Sequence, residues 1–135
     1  PRKAYANWLA SQRDDPAGVV VFMNAPDGLV KGDVVALDTS ARLTVKPVSI
    51  RGEKLPFVVA KVDETGTFVM VRGLAWAKVK GPVEPGDLLV TSEQPRFARS
   101  DNANRDPGRT LGVAVGKADR GKVLVRIARV TAPKD

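Results

Sequence analysis

The sequence contains no histidine and no cysteine. Without histidine there is no Ser-His-Asp triad and no imidazole proton shuttle. Without either residue there is no zinc finger and no ordinary catalytic zinc site. Disulfides are excluded, so redox compartment leaves no mark. Tyrosine occurs once and tryptophan twice. Long apolar runs are missing too. The longest, Val19-Val20-Val21-Phe22-Met23, is far too short to span a bilayer as a helix. No apolar stretch of a signal peptide opens the chain, so an intracellular setting and no membrane partner are expected.

What remains is 135 residues, 43% of them hydrophobic, enough for one core. The 22 Lys+Arg against 15 Asp+Glu leave a net charge of +7. Such a surface favours anionic partners: nucleic acid, acidic protein faces or anionic lipid. The charge is dispersed, however. The densest basic stretch, Arg96 to Arg109, is interrupted by Asp101 and Asp106, unlike a nucleic-acid-binding tail.

Residues 1–17 read as an N-terminal arm. Lys3 to Arg13 is rich in helix formers, with Tyr5, Trp8, Leu9 and Gln12 near one face. The cluster Asp14-Asp15-Pro16-Ala17-Gly18 would end that short helix. Residues 18–130 read as a β domain, and 131–135 as a tail. Expected strands cover 18–23, 33–37, 42–45, 56–62, 67–72, 74–80, 87–91, 96–99, 111–115 and 122–130. Short strands separated by Gly and Pro indicate an all-β barrel or sandwich. Asp63-Glu64-Thr65-Gly66 is the expected hairpin connection between two of them. Most of the aromatic residues beyond the arm fall in apolar runs and read as core.

Two segments align without a gap at an offset of 54. Gly32-Asp33-Val34-Val35 matches Gly86-Asp87-Leu88-Leu89, and Val69-Met70-Val71-Arg72 matches Val123-Leu124-Val125-Arg126. Arg42-Leu43 falls on Arg96-Phe97, and Val59-Ala60 on Val113-Ala114. The pattern predicts one β unit used twice, the copies packing around a shared core. At the Gly-Asp corners, Pro85 sets φ and Gly86 is free to take positive φ, as a type II turn requires. Gly32 and Gly86 are therefore structural turn residues. Asp33 and Asp87 are expected to accept backbone N–H groups there rather than to catalyse.

Other chemistry fails on spacing. Gly112-Val113-Ala114-Val115-Gly116-Lys117-Ala118 has three residues between its glycines where a phosphate-binding loop needs four, and no hydroxyl after the lysine. The acidic pairs Asp14-Asp15 and Asp63-Glu64 are adjacent residues in turn-like stretches, without the geometry of a glycosidase pair. No enzyme activity, cofactor or metal is expected.

One stretch carries a resemblance. Gly81-Pro82-Val83-Glu84-Pro85-Gly86-Asp87-Leu88-Leu89-Val90-Thr91-Ser92, then Pro95 and Gly112–Ala118, together with Gly32–Asp38, resembles a small β domain of phage tail-fibre and neck-appendage proteins. It is similar to the β-tulip-type domain of capsid decoration (cementing) proteins, over about residues 28–128. The resemblance implies a non-enzymatic structural virion protein, often a homotrimer, bound to the major capsid protein on the head exterior after assembly in the host cytoplasm. The arm would then supply the contacts, with Tyr5, Trp8 and Leu9 as anchors and Arg2, Lys3 and Arg13 as flanking charges. Alternatives are a trimeric tail- or head-fibre component and, in another class, a basic nucleic-acid-binding β module, although nucleic acid is not the expected partner. High Arg and Pro content without Cys suits a thermophilic phage.

Overall fold

The structure is a computed structural model that describes residues 13–15 and 18–128. The expected arm helix, with Arg2, Lys3, Tyr5, Trp8 and Leu9, lies outside the described residues, as does the tail. About 50% of the described chain is strand and almost none helix, and the antiparallel sheet is curled into a half-barrel. The strands are β1 (Arg13–Asp15), β2 (Gly18–Met23), β3 (Val34–Leu37), β4 (Val45–Lys46), β5 (Pro56–Asp63), β6 (Gly66–Lys78), β7 (Leu88–Thr91), β8 (Ala98–Ser100), β9 (Gly112–Ala114) and β10 (Lys122–Ala128). One 3-10 turn, Pro107–Arg109, is capped by the Asp106 carboxylate accepting from the Gly108 N–H at 2.8 Å. Among the described residues, no helix is long and apolar enough to cross a membrane.

Hydrogen-bonded neighbours run β4-β3-β5-β6-β10-β9-β7-β8, with β2 on β6 and β1 on β2. Two features depart from expectation. Asp14 and Asp15, read as helix breakers, are strand residues: β1 pairs with β2, Asp14 opposite Val19 and Asp15 opposite Gly18. A local breaker signal is overridden by an available sheet edge. The strands expected at 67–72 and 74–80 are one element, β6. Its first part pairs with β2 as far as Arg72 and Gly73, and β10 takes over from those same two residues through Lys78. Overlapping partners leave no gap in the ladder at which the strand could end.

The interior forms two clusters. One gathers Met23, Leu29, Val35, Val45, Phe57, Val59 and Val69. The other is larger and contains Val20, Val34, Val58, Phe68 and Met70 from the first half of the chain. It also contains Ala75, Ala77, Val83, Leu89, Leu111, Ala114, Val123, Val125 and Ile127 from the second half. Residues 18–71 therefore bury both faces of their strands. Beyond residue 72, the rest of β6, β9 and β10 bury one face, while β7 buries the consecutive residues Leu89, Val90 and Thr91.

Candidate functional site

The two Gly-Asp corners have the same construction. Gly32 has φ 94° and Gly86 φ 90°, values that a Cβ makes costly. The Asp33 N–H donates to Val30 O at 3.0 Å, and the Asp87 N–H to Glu84 O at 3.1 Å. Each carboxylate reaches back: Asp33 accepts from the Val30 N–H and Asp87 from the Glu84 N–H, both at 2.9 Å. Each corner is then tied to a neighbouring strand, Gly32 N–H to Val59 O and Gly86 N–H to Ala114 O, both at 2.8 Å. Pro85 occupies the position before Gly86 in the second turn.

The corners differ in their surroundings. Asp33 is fully buried, and its Oδ1 accepts from Lys78 Nζ at 2.6 Å. Asp87 accepts from the Ser100 hydroxyl and the Asn102 amide, both at 2.9 Å. The Asn102 amide, then the Glu84 N–H and the Ser100 hydroxyl, hold the Asp87 carboxyl below the usual carboxylate range. Sequence spacing anticipates the backbone bonds but not Lys78, which lies 45 residues away and reaches Asp33 only because β6 runs past the corner.

Carboxylates elsewhere are also engaged. An open depression of about 630 Å³ is bordered by Lys80, Glu93 and Arg99. There Arg99 Nη1 donates to both Glu93 oxygens, at 3.2 and 3.1 Å, while Lys80 Nζ lies 4.4 Å from the centre of the Phe97 ring. Asp63 accepts from the Thr65 hydroxyl and N–H in the β5–β6 hairpin and pairs with Lys61 at 3.1 Å. The Thr65 hydroxyl is the main cause holding the Asp63 carboxyl far below its ordinary value, with Lys61 and the Thr65 N–H adding to it. These groups cap turns and neutralise neighbours. Among the described residues, no cluster of three or more His, Cys, Asp or Glu is placed to hold a metal ion.

The most unusual surface lies on the outward face of β6, β10, β9 and β7. Trp76 is 46% exposed, Val115 49%, Val113 38% and Leu74 37%, so a large apolar area meets solvent rather than core. Register makes them neighbours. Trp76 stands opposite Leu124, whose carbonyl accepts from the Val115 N–H. Leu74 stands opposite Arg126, which stands opposite Val113, which stands opposite Leu88. The outward charges in phase with them are Arg72, Lys78, Lys122 and Arg126, of which Lys78 is paired with Asp33; the outward positions of β6, β9 and β10 carry no Asp or Glu. Contiguous apolar patches of this kind mark interaction surfaces.

The sequence pattern makes 74–80 a half-buried strand containing Trp76, yet it groups most of the aromatic residues with the core and does not single out this face. The signal was present in Leu74-Ala75-Trp76-Ala77-Lys78. Trp76 is in phase with Leu74 and Lys78, whereas the buried residues are Ala75 and Ala77. The period of two in a strand puts the large apolar residues outside and the small ones inside.

Of the expected arm contacts, only Arg13 is reached by the described chain, at the start of β1 opposite Val20. No family model, curated protein or solved structure matches the chain.

Proposed function

We propose that this chain is a structural virion protein that decorates and cements a phage head, binding the major capsid protein from outside. The observation that carries this reading is the outward face around Trp76. It is a broad, rigid surface suited to docking another protein, with basic groups to complement an acidic one. The resemblance of the Gly81–Ser92 and Gly112–Ala118 motifs supplies the setting. Many weak docking events on one shell would reinforce it by multivalency. Trimeric assembly belongs to the same proposal, as do the arm anchors Tyr5, Trp8 and Leu9 with Arg2, Lys3 and Arg13.

The same proposal covers the architecture: a β unit used twice. Several correspondences support it. The strand β3 is followed by β4, β5 and β6, as β7 is followed by β8, β9 and β10, and each set pairs in the same order. The parallel bridge Asn24–Thr44 recurs as Val79–Ala98. The second half of β6 stands to β10 as β2 stands to the first half of β6, so Phe22 faces Phe68 as Trp76 faces Leu124. Pairing slips by one residue relative to an ungapped alignment, because Gly32 bonds Val59 while Gly86 bonds Ala114.

The test is co-sedimentation with expanded heads of the phage that encodes the chain. The full chain is expected to pellet with heads in many copies per particle; a few copies would indicate a fibre component. Removing residues 1–12, which stops short of β1, is expected to leave the β body folded and to abolish pelleting. Unchanged pelleting removes the arm from the contact. A full chain that stays in the supernatant overturns the decoration reading.

A further inference from the structure

The two halves bury their outward faces unequally. In the first half, Val20, Phe22, Val34, Val58, Ala60 and Phe68 line the outward side, and the second half covers them within the larger cluster. Their register counterparts are Leu74, Trp76, Leu88, Val113, Val115 and Leu124, of which Leu74, Trp76, Val113 and Val115 are exposed and Leu88 and Leu124 half-buried. Phe22 and Phe68 meet edge to face with ring centres 6.0 Å apart, Phe68 buried and Phe22 half-buried against the larger cluster. Trp76 and Leu124 hold the corresponding places with Trp76 exposed and Leu124 half-buried. The second unit thus presents the kind of surface that the first unit hides, and it lacks only the next layer.

Resting on the reading of this chain as a duplicated protein-binding module, we infer that the Trp76 face docks an apolar protein surface rimmed by Asp and Glu. Three observations select that occupant. Charge is the first: Arg72, Lys122 and Arg126 frame the face, and a carboxylate rim complements them. A second copy is disfavoured next. Face-to-face pairing would oppose these cations to their own counterparts. The chain's other apolar cluster is closed, with Val35, Val45, Val59 and Val69 fully buried, so it offers no layer to donate. Finally, the segment before β1 has the wrong charge. Residues 1–12 contain Arg2 and Lys3 and no carboxylate side chain.

Selection from a random peptide library displayed on yeast, against the immobilised full chain, tests this. The chain carries Trp8→Phe, which leaves Trp76 as the only tryptophan. Expected binders combine aliphatic or aromatic residues with Asp and Glu. As synthetic peptides they shift Trp76 emission to the blue, lose about tenfold in affinity against Lys122→Glu/Arg126→Glu, and weaken with salt. Both substitutions are at exposed positions, and an unchanged circular-dichroism melt confirms that the variant folds. Binders that are basic or neutral, or that leave Trp76 emission unmoved, overturn the inference. So does stronger binding of oligo(dT) at this face, which would make it a nucleic-acid platform. Concentration-dependent self-association that Trp76→Ser abolishes would assign the face to a second copy and also overturn it. Acidic binders at Trp76, together with failure to pellet with heads, would retain this inference and reject only the phage setting.

Discussion

At the scale of single residues, the two corner aspartates are alike in backbone role and unlike in cost. Asp33 has no exposure, and its partner Lys78 is only a quarter exposed. Removing one member leaves the other charged and poorly solvated. Asp33→Ala is expected to cost about 3 kcal/mol in urea unfolding, and Lys78→Met a similar amount. The double variant should recover part of the sum, since neither charge is then orphaned. Strict additivity would show that the pair is not coupled. Asp87 governs a pH effect instead. Its folded pKa is depressed, so its contribution is present above the unfolded value of about 3.9 and disappears as pH falls through the lower folded value. Asp87→Asn cannot titrate. Its stability is therefore expected to change less between pH 6 and pH 2 than that of the unaltered protein, measured by urea midpoints across that range. An equal change in both would place the acid sensitivity elsewhere.

At the scale of strands, register decides what an identical position means. Phe22 on β2 and Trp76 on β6 occupy corresponding places in the proposed duplication, yet one packs against the larger cluster and the other faces solvent. Phe22→Ala is expected to cost about 2–3 kcal/mol, through lost burial and a cavity. Trp76→Ala should cost less than about 1 kcal/mol, as an exposed substitution does. Thermal melts of the two variants make the comparison, and equal losses would contradict the layer assignment. This asymmetry also marks how far the sequence could be read. Period-two patterning and Gly-Asp turns located nearly every strand from Gly18 onward, because those signals are local. It could not say which of two similar halves is covered, because that depends on which half lies against the other. β1 was hidden for a related reason: Asp14 and Asp15 have no strand propensity of their own and adopt a strand through the edge of β2.

At the scale of the molecule, the larger cluster joins the halves into one cooperative body. It takes Val20, Val34, Val58, Phe68 and Met70 from one half and Leu89, Leu111, Val123, Val125 and Ile127 from the other. β6 runs through both halves, pairing with β5 and β2 early and with β10 late. Neither half can therefore open without stripping the other of a face. Urea unfolding of the full chain carrying Trp8→Phe is expected to show a single transition, coincident by Trp76 fluorescence and far-ultraviolet circular dichroism. A fragment ending at Lys78 keeps the smaller cluster but bares Val20, Val34, Val58, Phe68 and Met70 to water. It is expected to bind hydrophobic dye and unfold without a sharp transition. A sharp, dye-free unfolding of that fragment would mean the first unit is stable alone, and the second unit would then be an appended layer rather than half of the core.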